Sequence, residues 1–574
     1  MYDLVVRGGT VVDGTGTPPR RADVAIDGDR IVAVGTGVGP GAREIDATGQ
    51  LVTPGWVDIH THYDGQVTWD EHLTPTGWHG VTTVVMGNCG VGFAPVREGR
   101  HEFLIQLMEG VEDIPGTALA EGMTWSWETF EEYLDAVEAM PRSIDVGTQV
   151  PHGPVRAYVM GQRGADNDPA TDEDIHEMAA IVRRGLEAGA LGFSTSRTWL
   201  HRAKSGEPVP GTSAGEDELL GIGRALAAAG HGVFQVASDL MPEDTEISWM
   251  RQISAETGRG VAFSLLQNSI EPDQWRRMLT VCEQDAADGG HLTPMVAQRP
   301  AGVLLAFEGS VHPFMFSPGY LAIADLPPPE RLARLADPGV RAAILDDPPD
   351  LAGFDGLVGA VTKGFERQFP LGDPPEYEPG PESSIAAIAD REGRSPFEVA
   401  YDVLMEGGGT GLIYMPILDY VEGDLDNTRE LMLHPQSVFG LSDGGAHCGV
   451  ICDCSVPTYL LTHWARDRTR GDRIPVERLV SAQARETAAF YGLHDRGVLA
   501  EGMKADLNVI DFDALHLHGP RFAYDLPAGG RRLVQEVDGY SYTVCSGEVT
   551  YEDGEPTGAL PGRLVRGPQM PAPG

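Results

Sequence analysis

The chain has 574 residues, 41 % of them hydrophobic, enough for a large core and two or three domains. Its 85 acidic against 42 basic residues give a formal charge of −43. A field of that sign repels nucleic acid and anionic membrane, so neither is expected as a partner.

The charge says nothing against a small-molecule substrate, because a pocket can differ from the surface around it. Met1 is followed at once by Asp3 and a short β-like run, with no basic and apolar leader; this predicts no signal peptide. No apolar run reaches the length of a membrane span. The six cysteines form no regular framework, and a chain this long needs none, which points to a reducing cytoplasm. Only three residues are lysines: Lys204, Lys363 and Lys504.

Residues 1–53 are rich in Val, Gly, Thr and Asp in short alternating runs at 2–6, 10–13, 23–26 and 30–34. Turn pairs such as Asp13-Gly14 and Asp27-Gly28 separate the runs, as in a small antiparallel sheet. The same texture returns at 506–511 and 542–551. Residues 1–53 plus 496–560 are therefore expected to build one β-sandwich around a central domain.

From 54 to 495 the pattern changes to apolar runs alternating with helix-like stretches. Eight runs stand out, at 55–59, 82–86, 143–150, 190–194, 232–237, 260–266, 292–297 and 437–441. Continuous apolar strands alternating with helices indicate a parallel sheet covered on both faces. Eight of them predict an α/β fold closed as a (β/α)8 TIM-like barrel. A doubly wound open sheet competes, but no Gly-x-Gly-x-x-Gly follows an early strand. Leu326-Pro327-Pro328-Pro329-Glu330, Asp347-Pro348-Pro349-Asp350 and Asp373-Pro374-Pro375-Glu376 interrupt the spacing before the eighth strand. They predict a lid or insertion around 320–395. Residues 561–574 read as a flexible tail.

In such barrels the chemistry sits at the C-terminal ends of the strands. The first run ends in Asp58-Ile59-His60-Thr61-His62, and alternate strand residues share a face, so His60 and His62 point the same way and can chelate a metal. Two hydrogen-bonded surface histidines are the plainer alternative, which the strand-end position disfavours. The second run ends in Gly87-Asn88-Cys89-Gly90. Cys89 there is either a thiolate ligand or a small buried hydrophobe, the commoner fate of a free cysteine. After the third run, His152 could bind a substrate oxygen or simply cap a loop. After the eighth, Ser442-Asp443-Gly444-Gly445 places Asp443 to bind a metal or take a proton; the plain alternative is an Asp-Gly turn. The run His447 to Cys454 holds several soft ligands, but its spacing matches no structural zinc pattern and favours buried small residues.

Together these residues resemble the amidohydrolase superfamily. The stretch 54–95, with His60, His62 and Gly87-Asn88-Cys89-Gly90, is similar to the N-acyl-D-amino-acid deacylases (D-aminoacylases), as are Gly8-Gly9-Thr10, Ser442-Asp443-Gly444 and the run 495–507. In that family a cysteine stands where many relatives use a modified, metal-bridging lysine. Cys89 fits this, and no lysine falls at a barrel strand end. The resemblance also implies a histidine after strand five and another after strand six, but those places fall at Ala237 and Leu265. The second metal position, as the family builds it, is broken. One divalent metal, zinc first, is expected on His60, His62, Asp443 and Cys89. Asp239, His152, His447 and Cys448 are the candidates for substitute ligands.

The expected function is metal-dependent hydrolysis of the amide of a small N-acylated amino acid. In it the metal activates water, Asp443 carries the proton, and His152 helps to stabilise the oxyanion. Arg299, then Arg197, are candidates for the substrate carboxylate, and Phe193, Trp199 and Phe307 for an acyl pocket. The alternatives are a cyclic-amide hydrolase, a deaminase, or a non-catalytic ligand-binding barrel. Self-association is left open.

Overall fold

The structure, a computed structural model, describes residues 1–346 and 356–572. Eight parallel strands lie in sequence order: β1 (Trp56–Asp58), β2 (Val81–Met86), β3 (Asp145–Pro151), β4 (Gly192–Arg197), β5 (Val233–Ser238), β6 (Val261–Ser264), β7 (Leu292–Val296) and β8 (Val438–Phe439). Each falls within its predicted run, give or take a few residues. Every residue of β2 and β3 is buried, as a parallel sheet covered on both faces requires. The inner layer draws on successive strands, with Val57, Val85, Val233, Ala262, Met295 and Val438 in one cluster. Leu191 joins them by filling the space that a side chain at Gly147 would take, 2.3 Å from its Cδ1.

The circuit closes just past the ends of β1 and β8. Asp443 donates its backbone N–H to the His60 carbonyl (3.1 Å), and His62 donates to the Gly444 carbonyl (2.7 Å). The seam of the barrel is thus made by the residues singled out for chemistry.

Strands from both chain ends form one nine-stranded sheet with its own core of Leu4, Val24, Ile26, Val52, Leu507 and Val544. The ends meet where Leu51–Pro54 pairs antiparallel with Leu507–Ile510. The runs at 2–6 and 10–13 belong to a single strand, Tyr2–Val11, with a register shift between Val6 and Gly9. Gly8, at φ 66°, supplies the left-handed residue that such a bulge uses.

The insertion before β8 is wider than 320–395. Gly302–Leu305 and Ile413–Pro416 pair antiparallel at its two ends, and Phe307, Phe314, Tyr320, Phe365 and Tyr401 build a separate core inside it. The Asp347-Pro348-Pro349-Asp350 run lies outside the described residues. The expected flexible tail differs as well. Val146 donates to the Arg563 carbonyl (3.0 Å) and Val565 to the Val146 carbonyl (2.8 Å), while Leu564 and Val565 are buried. Unpaired backbone groups beside β3 and two apolar side chains hold residues 561–572 to the barrel. No helix among the described residues is long and apolar enough to cross a membrane.

Candidate functional site

At the C-terminal mouth of the barrel, His60, His62 and Cys89 bring one donor atom each within 4.8 Å of one another. Cys89 Sγ lies 3.3 Å from His60 Nε2, and Asp443 Oδ1 lies 3.3 Å from His60 Nε2 and 3.6 Å from His62 Nε2. Bonds of about 2.0–2.3 Å in tetrahedral array put neighbouring donors about 3.3–3.7 Å apart, so the measured separations suit a zinc-type ion. His60 Nδ1 and both ring nitrogens of His62 are buried without a hydrogen-bond partner. Such orphaned donors are costly in a dry interior, and a cation is what would satisfy them.

The fold holds these side chains by local means. The turn after β2 is bound on three sides. Cys89 N donates to Gln235 Oε1 (3.1 Å), Gly90 N donates to Ser194 Oγ (3.0 Å), and Asn88 Nδ2 donates to the carbonyls of Thr61 and Val85. Gly90 is required there, since a Cβ would stand 2.9 Å from Ser196 N. On the other side, Ser442 Oγ donates to Asp58 Oδ2 and lies 3.2 Å from the His60 carbonyl, tying the two strand ends together. Cys89, Asp443 and His447 all have left-handed backbones, with φ of 55°, 49° and 53°. Non-glycine residues held this way cluster at functional sites.

Electrostatics within the cluster are strongly perturbed. Burial pushes the Cys89 thiol up to about 12, so it becomes a thiolate ligand only when a cation is present. Burial likewise lowers His60 to about 4. Burial alone would raise the Asp443 carboxyl, but His62, His60 and His447 together hold it well below the usual carboxylate range. Asp443 is also the accessible member of the set: its side chain is 23 % exposed against 1 % for each histidine.

The other predicted residues are engaged elsewhere. His152 has no free nitrogen: Nδ1 bonds Thr195 Oγ1 and Nε2 bonds Glu218 Oε1, both at 2.8 Å. It therefore braces β3 against β4 and supplies no oxyanion contact or metal ligand. Arg197 pairs with Glu246 and donates to the carbonyls of Thr212 and Ala214. Arg299 is buried on the Tyr377 ring and bonded to Asp453, Ser455 and the Cys452 carbonyl. Neither guanidinium is left for a substrate carboxylate. Phe193 and Phe307 are core residues, while Trp199 is exposed. Asp239 accepts from Thr198 Oγ1 and Trp199 N, which fixes the loop after β4. Ala237 and Leu265 are buried in the main apolar cluster, so the ends of β5 and β6 offer no ligand at those two places. Cys448, Cys452 and Cys454 are buried and form no metal-binding group among the described residues.

Two residues missed by sequence reasoning border the site. Glu112, the last residue of helix α1 (His101–Glu112), lies with Oε1 3.3 Å from His62 Nδ1 and Oε2 3.5 Å from His447 Nε2. His201, in the loop after β4, accepts or donates at Ser196 Oγ (3.0 Å) and is lowered to about 3 by burial and by nearby His447 and His62.

A match to the amidohydrolase family covers residues 43–551. The chain belongs to the amidohydrolase family. It is a hydrolase of C–N bonds other than peptide bonds. It is 28 % identical over 521 residues to D-aminoacylase from Alcaligenes xylosoxydans xylosoxydans, covering 89 % of this chain and 88 % of that one. A solved D-aminoacylase structure, described as having a binuclear metal center, superimposes with a TM-score of 0.65 at 24 % identity, over 99 % of this chain and 100 % of that one. N-acyl-D-glutamate deacylase from Bordetella bronchiseptica, solved with zinc and a phosphonate inhibitor, gives 0.64 at 23 %, over 98 % and 99 %. These likenesses bear out the predicted fold and the predicted family.

Proposed function

We propose that this amidohydrolase cleaves the amide of a small N-acylated amino acid, with a divalent metal, zinc first, on His60, His62, Cys89 and Asp443. The observation that carries this reading is the convergence of those four donors where the first and eighth strands meet. A metal held there supplies Lewis acidity towards water and the amide carbonyl. Asp443, the exposed member, accepts the proton of the attacking water and passes it to the departing nitrogen, without which an amine anion would have to leave. Cys89 and the two histidines stay buried, which keeps bulk water away from the donor set.

The test is a substrate panel on zinc-reconstituted protein: N-acetyl derivatives of D- and L-amino acids, cyclic amides, and aminated heterocycles. Release of free amino acid from an N-acetyl substrate, lost in Asp443→Ala, is expected. Turnover of cyclic amides or of the heterocycles alone would overturn the acyl-amide reading. Binding without turnover in every arm would favour a non-catalytic barrel.

A further inference from the structure

The run Asp373-Pro374-Pro375-Glu376 takes no part in the site at the barrel mouth, yet it brings a carboxylate against two histidines far along the chain. Asp373, His516 and His518 each place one possible ligand atom within 4.8 Å of the other two. They share no residue with the barrel-mouth group of His60, His62 and Cys89. Asp373 follows the short strand Phe369–Pro370 of the insertion, which pairs with Ile413–Pro416. His516 and His518 flank Leu517 in the C-terminal segment, where His516–Leu517 pairs antiparallel with Val537–Asp538.

Each of the three side chains is held in place. Leu517 is buried, so strand alternation turns His516 and His518 together to the opposite, outer face. Their ring centroids are 4.6 Å apart, with the ring planes at 86°. Gly519 N donates to Asp373 Oδ1 at 3.2 Å, which docks the carboxylate beside the strand and leaves its second oxygen. Asp538 Oδ2 lies 2.8 Å from His518 Nε2. A carboxylate on one ring nitrogen fixes the imidazole and turns the other nitrogen, here Nδ1, towards a metal. The His516 ring touches His518 and makes no hydrogen bond among the described residues, so its nitrogens are uncommitted within the chain.

We propose that Asp373, His516 and His518 hold a divalent transition-metal ion away from the barrel mouth, and that this ion staples the insertion to the C-terminal strand pair. Two imidazoles and one carboxylate suit zinc or copper, whereas magnesium and calcium prefer oxygen donors alone. Nitrogen and oxygen donors around zinc stand about 3.3 Å apart, and closing to that distance needs only the turning of side chains that are exposed or half-exposed. His516 and Pro374 also line a cavity of about 220 Å³, which gives the ion an entry path and gives water room in the fourth position. The strongly acidic chain raises the concentration of cations at its surface.

The test separates the two sites by their donors, since the barrel mouth holds the Cys89 sulfur and this site holds none. The His60→Ala/His62→Ala variant, dialysed against micromolar free zinc, is expected to keep about one ion per chain. Zinc X-ray absorption should then show nitrogen and oxygen neighbours with imidazole outer-shell scattering and no sulfur. Adding His516→Ala should remove that ion. Should the double variant not fold, wild type against His516→Ala gives the same comparison: one ion fewer with an unchanged circular dichroism spectrum. Zinc at about a hundred times its Kd should slow amide exchange at His518 and Gly519 by up to about 10²-fold in the wild type and leave it unchanged in His516→Ala. No zinc in His60→Ala/His62→Ala, zinc there with a sulfur neighbour, or zinc retained after His516→Ala would overturn the site. Zinc bound without slower exchange would overturn the staple. None of these readouts involves turnover, so the hydrolase reading stands or falls separately.

Discussion

Gln235→Leu tests whether the Cys89 turn is held from across the barrel. Gln235 shares the inward face of β5 with Val233 and Ala237, and its Oε1 accepts the Cys89 N–H at 3.1 Å. Leucine is close in volume but offers no acceptor. The Cys89 N–H would then be buried without a partner, a cost of about 1–3 kcal/mol. Cys89 already holds φ 55°, which costs a residue with a β-carbon about 1–2 kcal/mol more. The turn relieves both by flipping, and flipping moves Sγ away from His60. If the penalty is expressed wholly at the metal, the ion is held about 5- to 150-fold more weakly, at about 1.4 kcal/mol per tenfold. Zinc transfer to a chromophoric chelator, with thermal unfolding followed in parallel, measures this. Ser194→Ala, which removes the acceptor of Gly90 N, acts on the same turn and should combine non-additively with Gln235→Leu. Wild-type zinc retention and an unchanged melt in Gln235→Leu would refute the reasoning.

Asp443→Asn should lower turnover of the best substrate by about 10²–10⁴-fold with an unchanged circular dichroism spectrum, measured at matched zinc content. Arg299→Ala should destabilise by about 3–5 kcal/mol because Asp453 loses its buried partner. The ratio of kcat/KM for an N-acyl amino acid over its carboxamide analogue should not move, whereas a substrate-binding arginine would change it. Asp145→Asn should cost about 3–5 kcal/mol at pH 7 by uncoupling Arg496 and Lys504 at the other end of the barrel. Burial would raise the Asp145 carboxyl, but Lys504 and Arg496 hold it down to about 2. A depressed carboxyl contributes stability above its unfolded pKa of about 3.9 and loses it as pH falls through the folded value. The gap between wild type and Asp145→Asn should therefore narrow between about pH 4 and pH 2 in denaturant titrations.

The barrel was legible because its strands are buried on both faces, so they read as continuous apolar runs. His60 and His62 were legible because two-residue periodicity at a strand end dictates a shared face. The absent ligands were legible too, since Ala237 and Leu265 have no donor to offer. Glu112 was not. It closes an amphipathic helix in the run Met108-Glu109-Gly110-Val111-Glu112, where a glutamate ordinarily faces water, and only docking against residues 447–449 buries it. The helix-ending pair Glu112-Asp113 before Ile114-Pro115 was the available signal, and it is weak. Arg197 and Arg299 failed for the converse reason. An arginine after a barrel strand reads as a substrate clamp only until its partner is known, and Glu246 and Asp453 lie 49 and 154 residues further along the chain. The tail shows the same limit: a short Pro- and Gly-rich terminus looks unstructured until Leu564 and Val565 find an apolar surface.

Site and barrel closure depend on the same few bonds, and this makes metal loss a structural event. Strand β8 is two residues long and pairs with β7 at Met295 and Val296. Its junction with β1 rests on Asp443 N to His60 O and His62 N to Gly444 O, with Ser442 Oγ bridging to Asp58. His60 and His62 enter from one side of that seam and Asp443 from the other, so an ion on all three cross-links it. A ligand present at a thousand times its Kd stabilises the state that binds it by about 4 kcal/mol. Because the donors straddle the seam, that energy should be felt first at the seam amides and only later in the rest of the barrel. Chelation should therefore raise hydrogen exchange at Asp443, Gly444 and His62 by up to about 10³-fold, while β2 and β3 stay protected. Uniform loss of protection over all eight strands would mean that the ion stabilises the barrel as a whole. No change at the seam would mean that the His60, His62 and Asp443 donors do not share an ion.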